Sequence, residues 1–306
     1  MSNEPKVSVI IPTYNQCSFL AEALSSLIKQ SFTDWEAIVI DNLSVDKTKQ
    51  VVHSFNDQRI KYVLFSNNGI IGASRNKGIS LTKGMYLAFL DSDDLWETEK
   101  LEKSLKAFDD DVGVVCHALE YFGDESKKVY PGRYGSIDFD SLIMNGNCLT
   151  PSAVVVKRKY LNEVGGFSER PELVTSEDYH LWLRLTFMGV KVKSLDDVLT
   201  RYRVHKASAS SKAIAHMESV LAVLNEFFTD DVNLLHYGKL QVRRRYGIVY
   251  YGTAMSLQSN NHYMKSFLYI LKSLTTYPFS PRFYYAFFAP LFRNRKPYQL
   301  HGIIHK

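Results

Sequence analysis

The sequence predicts an α/β protein built on a mostly parallel β-sheet that is flanked by helices. Short apolar runs rich in Val and Ile, such as Val7–Ile11 and Trp35–Ile40, alternate with helical patterns in the first part of the chain. Unbroken runs of this kind indicate parallel strands that are buried on both faces. From Ala213 onward the pattern is helical throughout. We therefore expect a parallel-sheet domain followed by a C-terminal helical extension.

The predicted elements follow one another as strand, helix and strand. The first strands are predicted at Val7–Ile11, Trp35–Ile40, Ile60–Phe65 and Met85–Leu90, and the helices between them at 18–28, Asp46–Phe55 and Ala73–Thr82. A looser pattern predicts strands at Val112–Tyr121, Ala153–Val156 and Val190–Val192, and a helix at Ser176–Met188. The C-terminal helices are predicted at Ala213–Phe228, Leu240–Ser256 and His262–Thr275. We accordingly divide the chain into a domain of residues 1–210 and a helical region of residues 211–306.

Charge is distributed unevenly along the 306 residues. The formal net charge is +5, yet no Asp or Glu follows Asp231, and this last stretch holds 11 of the 37 Lys and Arg residues. Nine aromatic residues lie between Tyr277 and Tyr298. Cations attract anionic headgroups and aromatic rings favour the interface, so residues 277–306 are predicted to bind an anionic membrane surface. A packed helical hairpin with buried rings and a homo-oligomer contact are the alternatives. Nucleic-acid binding is not expected, because no recognition motif accompanies the charge.

Cellular location is predicted from what the sequence lacks. Met1–Lys6 is polar, and no apolar stretch approaches the about 20 residues that a membrane-spanning helix needs. Three cysteines are too few for a disulfide framework. We therefore expect a cytoplasmic protein that is soluble or attached peripherally to the inner face of the membrane.

Polar residues cluster where the predicted strands end. The clusters are Thr13–Asn15, Asp41–Asn42, Asn67–Gly69 and Asp91–Asp94. In open parallel sheets, ligands bind outside the carboxyl ends of the strands. The sequence therefore predicts one ligand site at this edge of the sheet.

The acidic cluster is the candidate metal site. Alternate residues of an extended segment point to one side, so Asp91 and Asp93 could converge on one ion. Mg²⁺ and Mn²⁺ favour carboxylate and phosphate oxygens. The alternative is a solvated turn in which Asp93 or Asp94 caps the following helix.

Four further side chains have a chemical interpretation. The Asp41 carboxylate could accept the N3–H of uracil, and Arg75, at a helix start after Gly72, would favour an anion. Asp178, in the pair Glu177-Asp178, could act as a general base on a hydroxyl group, although Thr175-x-x-Asp178 also fits a capping box. His205 could complete a metal shell or donate to a diphosphate. The alternatives without a functional role are a turn aspartate for Asp41, a surface arginine for Arg75 and a histidine with no ligand for His205.

Seven motifs follow one another over about residues 5–210. They are Val7–Asn15, Ile38–Asp41, Asn68-Gly69 with Ser74–Ile79, Phe89–Asp94, Gly165–Phe167, Glu177–Tyr179 and Tyr202–His205. In order and spacing the chain resembles the inverting family 2 glycosyltransferases of the GT-A fold, of the kind found in bacterial surface polysaccharide synthesis. One motif departs from the family pattern, since Asn42 and Leu43 stand where an Asp and a Gly are often found.

The resemblance implies a role for each matched residue. The donor nucleotide-sugar would be held by Pro12, Tyr14, Asn15, Asp41, Asn68, Arg75, Asp91, Ser92 and Ser210. Mn²⁺ or Mg²⁺ would be bound by Asp91, Asp93 and His205, with Asp93 as the main ligand. Asp178 would be the catalytic base, and Glu177, Gly166 and Trp182 would shape the acceptor side.

The implied function is transfer of a sugar, with inversion, from a nucleotide-diphosphate donor, UDP type preferred. The acceptor would be a glycan or a lipid-linked glycan in surface polysaccharide or lipopolysaccharide synthesis. The alternative is a non-catalytic module that binds a sugar-nucleotide or a glycan. A nicotinamide dehydrogenase is excluded, because no G-x-G-x-x-G follows the first strand.

Overall fold

The computed structural model describes residues 4–124, 126–132, 135–205, 213–229 and 236–288. Backbone contacts divide the chain into two units. The first contains Met1–Leu142 and Asn147–His205, and the second contains Ile143–Gly146 and Lys206–Lys306. The predicted boundary at residue 210 lies outside the described residues and stays a prediction.

The first unit is built on a nine-stranded sheet with the order β3-β2-β1-β4-β8-β6-β9-β5, in which β7 pairs with β6. The strands are β1 (Val7–Thr13), β2 (Trp35–Asp41), β3 (Ile60–Leu64), β4 (Tyr86–Phe89), β5 (Leu95–Trp96), β6 (Val112–Gly123), β7 (Lys127–Val129), β8 (Val154–Lys157) and β9 (Lys191–Val204). The first helices are α1 (Cys17–Ile28), α2 (Thr48–Ser54), α3 (Ile71–Leu81), α4 (Lys100–Lys106), α5 (Phe139–Asn145), α6 (Arg158–Glu163) and α7 (Glu177–Phe187). Single 3₁₀ turns lie at Pro151–Ala153 and Pro171–Leu173.

The predicted parallel core of the sheet is confirmed. Strand β1 runs parallel to β2 and β4, and β2 runs parallel to β3, whereas β8 is antiparallel to its neighbours. All seven residues of β1 are buried, as are six of the seven in β2. This burial explains their unbroken apolar sequence. The carboxyl ends of these strands therefore meet at one edge, where Thr13 pairs with Asp41.

The last strand is much longer than the sequence predicts. The pattern indicated Val190–Val192, but β9 covers Lys191–Val204 and pairs with β6 along its length, with bulges around His117 and Ala118. Most side chains of β9 are exposed or half-buried and several are charged, so it lacks an apolar run. The end of β9 returns to the edge of the sheet where β4 ends. There Arg203 donates hydrogen bonds to Asp93 and Asp94.

The second unit is helical, as predicted. Its helices are α8 (Ala213–Phe228), α9 (Lys239–Ser259), α10 (Tyr263–Thr276) and α11 (Pro281–Phe288). A small core of Ala254, Ile270 and Ala286 joins the last three of these helices. No helix among the described residues combines the length and the apolar character needed to cross a bilayer.

Candidate active site

The loops that follow β1 and β2 are tied together at the edge of the sheet. The backbone N–H of Asn15 donates to Ser44 Oγ (2.8 Å), and the Asn15 side-chain oxygen accepts the N–H of Val45 (2.8 Å). Leu43 in this loop has a φ of +59°, a left-handed conformation that favours glycine. Leu43, which stands where the family often has glycine, therefore occupies a strained backbone position.

Asp41 is held rigidly by this loop and by its neighbouring strand. The side chain is 1% exposed, and its two oxygens accept the Tyr62 hydroxyl (2.6 Å) and the Ser44 N–H (3.0 Å). Burial and the Asp41 carboxylate together raise the pKa of Tyr62. The hydroxyl therefore stays protonated and continues to donate. This partner could not be predicted from the sequence, because Tyr62 has the pattern of an ordinary strand residue.

The other predicted donor-binding residues lie in different surroundings. Pro12 is buried within β1, whereas Tyr14 and Asn68 are exposed. The Ser92 hydroxyl is buried and donates to Gln16 Oε1 (2.6 Å). Ser210 lies outside the described residues.

The acidic cluster and His205 come together after β4. His205 Nε2 lies 2.9 Å from Asp93 Oδ2, and Asp94 Oδ1 accepts the backbone N–H of Arg203 (2.9 Å). The Arg203 side chain also donates to the Asp93 carbonyl (2.8 Å). Asp94 is thus a structural support for the end of β9, and this support brings His205 to Asp93.

The carboxylates of this cluster lie close enough to raise one another's pKa. Burial, followed by the charge of Asp91, raises the pKa of Asp93, against the opposing hydrogen bond from His205. Burial and the charges of Asp93 and Asp91 raise the pKa of Asp94 well above its ordinary value. A cation placed here would relieve this repulsion.

The residues present fit a divalent cation that binds together with a phosphate. Asp93 and His205 offer one oxygen and one nitrogen donor in contact, while one oxygen of Asp91 is engaged by Arg75. Among the described residues, no three His, Cys, Asp or Glu side chains form a ready-made metal cage. Mg²⁺ is typically held by one or two carboxylates plus substrate phosphates, and this donor set matches that mode.

Arg75 joins the acidic strand end to the start of α7. Its Nη2 donates to Asp91 Oδ1 (2.9 Å) and its Nη1 to Glu177 Oε1 (2.6 Å). Arg75 as a whole residue is 2% exposed. Burial lowers the pKa of Arg75, but the charges of Asp91 and Glu177 outweigh burial and raise it. Arg75 was predicted to bind diphosphate, yet both terminal nitrogens face protein carboxylates here.

Asp178 has the features of a proton acceptor. Its Oδ2 accepts the amide of Asn147 (3.0 Å) and its Oδ1 accepts the N–H of Tyr179 (2.7 Å). Burial, followed by the charge of Glu177, raises the pKa of Asp178 to about 7, against the opposing charge of Arg75. A carboxylate with this pKa can take a proton near neutral pH.

The alternative capping role of Asp178 is contradicted. The N-cap of α7 is Ser176, and no side-chain hydrogen bond caps this helix. Thr175, the first residue of the supposed capping box, has a φ of +79°, which is unusual for a β-branched residue. This strained residue lies two positions before Glu177.

Two of the three predicted acceptor residues have contacts within the protein. Trp182 is 1% exposed and donates to the Leu149 carbonyl (3.1 Å), and its place on the acceptor side stays a prediction. Gly166 has a φ of +76°, and an added Cβ would lie 2.5 Å from Asn76 Oδ1. Asn76 in turn fixes both backbone groups of Phe167. Gly166 therefore shapes the turn beside α3.

Several partners of these residues were not predicted from the sequence. They are Gln16, Tyr62, Asn147 and Ser152, together with the backbone role of Arg203. Arg203 was visible within its motif. Asn147 had no signal, because it lies in an irregular loop.

Comparison with known sequences decides the family. The sequence model described as "Glycosyl transferase family 2" matches residues 8–165, which is more than half of the chain. The chain belongs to glycosyl transferase family 2. The matched part includes the acidic cluster and Arg75, whereas Asp178 and His205 follow it. The prediction of a glycosyltransferase is confirmed at this level.

This family 2 glycosyltransferase has relatives in bacteria. It is 32% identical over 240 residues to the UDP-Glc:alpha-D-GlcNAc-diphosphoundecaprenol beta-1,3-glucosyltransferase WfgD of Escherichia coli, covering 76% of the chain and 90% of WfgD. It is 30% identical over 219 residues to the putative teichuronic acid biosynthesis glycosyltransferase TuaG of Bacillus subtilis (strain 168), covering 68% of the chain and 82% of TuaG.

The fold of this glycosyltransferase is also similar to solved structures. Mannosyltransferase PcManGT from Pyrobaculum calidifontis, in complex with GDP-Man and Mn²⁺, matches with a TM-score of 0.61 and 18% identity. The match covers 95% of this chain and 80% of PcManGT. The predicted GT-A fold is thereby confirmed.

Proposed function

We propose that the chain transfers a sugar from a UDP-sugar to a lipid-linked glycan acceptor with inversion, and that Asp178 is the base. The observation that carries this proposal is the Arg75 bridge. One guanidinium contacts both Asp91, at the donor side, and Glu177, beside Asp178. The Arg75 ion pairs therefore connect the donor side of a transferase site to the side of the proposed base.

The proposed chemistry needs one proton acceptor. Asp178 takes the proton from the acceptor hydroxyl as its oxygen attacks the anomeric carbon. The bond from that carbon to the diphosphate oxygen breaks, and the nucleoside diphosphate leaves with the electron pair. A single displacement of this kind inverts the anomeric centre. Asn147 holds Asp178 through Oδ2, which stabilises the ionised form that the step requires.

The donor site is proposed from chemistry and from similarity. Asp93 and His205, with Asp91 nearby, would hold Mn²⁺ or Mg²⁺. When bound, this cation supplies charge neutralisation at the departing diphosphate. PcManGT was solved with Mn²⁺, which supports the choice of metal. WfgD is named for UDP-Glc, which supports a uridine nucleotide held near Asp41.

The acceptor and the site of action are proposed on the same basis. WfgD is named for a diphosphoundecaprenol acceptor and TuaG for teichuronic acid biosynthesis, which supports a lipid-linked acceptor and a surface polysaccharide product. Such an acceptor would place the enzyme at the inner face of the membrane. Attachment through residues 277–306 stays a proposal, since the structure describes this region only to Phe288.

Calorimetric titration with UDP tests the donor site. We expect Mn²⁺ to tighten UDP binding at least tenfold in the wild type but not in Asp93→Asn. Asp110→Asn is the matched control, because Asp110 is exposed and lies away from the site. Equal tightening in both variants would remove Asp93 from the metal site. Binding without release of UDP from any UDP-sugar would favour the non-catalytic alternative.

A further inference from the structure

One face of α10 is both apolar and exposed. Five large apolar side chains on this helix are between 36% and 81% exposed: Tyr263, Met264, Phe267, Leu268 and Leu271. The adjoining face is buried, with Ser266, Ile270 and Ser273 turned inward. Ser266 donates to the Ala254 carbonyl of α9 (2.8 Å), and Ile270 lies in the small core of this unit. The buried side of α10 therefore stabilises the second unit, whereas packing within this unit does not explain the exposed apolar side.

The spacing of the exposed residues makes a continuous stripe. With 3.6 residues per turn, the five side chains fall within about 140° of the helix circumference. Lys265 and Lys272 are exposed and lie at one border of this stripe. An apolar face bordered by lysines is the pattern of helices that lie in the plane of a membrane interface.

Helices α9, α10 and α11 carry charge of one sign. Residues 236–288 contain no Asp or Glu, and their exposed or half-buried cations are Lys239, Arg243, Arg244, Lys265, Lys272 and Arg282, whereas Arg245 is buried. Phe279 and Tyr285, close by in sequence, are more than 60% exposed. A positive surface is attracted to anionic headgroups, whereas two copies of it would repel each other. Charge complementarity therefore favours a lipid surface over a second copy of the chain.

We propose that the exposed face of α10 docks on the surface of an anionic bilayer. Met264 and Leu268 enter the boundary between headgroups and acyl chains, and Lys265 and Lys272 contact lipid phosphates. This inference rests on the proposed function in one respect, since a lipid-linked acceptor gives the docked enzyme its substrate. It differs from the earlier prediction, because the stripe precedes residue 277.

Flotation with lipid vesicles tests the docking face. The full-length chain is mixed with phosphatidylcholine vesicles that contain or lack phosphatidylglycerol. We expect the wild type to float with the anionic vesicles, less so at high salt, and Met264→Glu/Leu268→Glu to lose at least about tenfold in affinity. The control Met85→Glu/Met188→Glu changes the charge equally at two exposed methionines of the first unit and should float as the wild type does.

Neutral substitutions separate apolar contact from charge. Met264→Ser/Leu268→Ser should weaken flotation without added negative charge, and Lys265→Gln/Lys272→Gln should reduce its salt dependence. Wild-type flotation that none of these variants changes, or no flotation at all, would overturn the docking face. So would a wild-type dimer in sedimentation that Met264→Glu/Leu268→Glu dissociates while flotation persists. UDP-sugar hydrolysis in solution is measured in parallel, and its absence in a floating wild type would count against the proposed function alone.

Discussion

The amide nitrogen of Asn147 lies 3.0 Å from Oδ2 of Asp178, and the two residues are separated by 31 positions in the sequence. A hydrogen bond of this kind stabilises the ionised carboxylate, so it opposes the burial that raises the pKa of Asp178. Asn147 thus acts as a positioning residue for the proposed base.

The first prediction follows from this contact. Asn147→Ala removes the donor and should move the acid limb of the rate against pH upward by about one unit, since hydrogen bonds to charged groups contribute about 1.5 kcal/mol or more. The measurement is the pH dependence of kcat. Asn147→Gln should recover part of the shift, whereas a purely structural role for Asn147 would change the rate without moving the limb.

The second prediction concerns pH and stability. The pKa of Asp178 is raised to about 7 in the folded protein, so the folded state holds a proton that the unfolded state releases above about pH 4. The free energy of unfolding should therefore fall as the pH rises from about 4 to 7. Denaturant titrations at several pH values should show a smaller fall in Asp178→Asn than in the wild type. An identical fall would mean that the pKa of Asp178 is not raised.

The third prediction concerns the buried bridge. Arg75→Met leaves Glu177 buried without its partner, and breaking a buried pair lowers stability by about 3 to 5 kcal/mol. Arg75→Lys should not restore it, because one ammonium lacks the fork that reaches two carboxylates. Chemical denaturation measures the change. Lys106→Met is the control, since its ion pair with Glu102 is exposed and should have little effect. Arg75→Met with unchanged stability would contradict the bridge.

The fourth prediction concerns the strained loop. Leu43 has a φ of +59°, which is costly for a residue with a Cβ, so Leu43→Gly should raise the free energy of unfolding by about 0.5 to 1 kcal/mol. Val45 lies two residues away and has no positive φ, so Val45→Gly should lower stability slightly. Thermal unfolding of each variant measures the two changes in stability. A loss of stability in Leu43→Gly would show that this side chain matters more than its backbone.

Strands β1, β2 and β4 could be predicted because each is largely buried and has an apolar sequence. Strand β3 is only partly buried, but its sequence is still mostly apolar. Strand β9 could not, because its exposed charged residues hide the pairing with β6. The polar strand ends identified Asp41 and Asp91 as neighbours at one edge. The periodicity of apolar residues indicates which side chains are buried, but it does not indicate their hydrogen-bond or ion-pair partners.

The partners are fixed by contacts between distant parts of the chain. Arg75 and Glu177 are 102 positions apart, and nothing in either motif indicates that the guanidinium faces a carboxylate instead of a ligand. The family resemblance implied that Trp182 lies on the acceptor side. In the structure its ring is buried and donates to the Leu149 carbonyl, a contact that the motif does not indicate. Sequence patterns thus located the site but could not assign every side chain in it.

In the proposed mechanism, Asp178 removes the acceptor proton while the donor is held elsewhere in the site. The most direct measurement is transfer, by Asp178→Asn, from the UDP-sugar that the wild type uses to a lipid-linked acceptor, together with the affinity of the same variant for UDP and Mn²⁺. We expect transfer to fall by at least about 100-fold, while donor affinity stays within a factor of two or so of wild type. Full turnover by Asp178→Asn would contradict the assignment of the base.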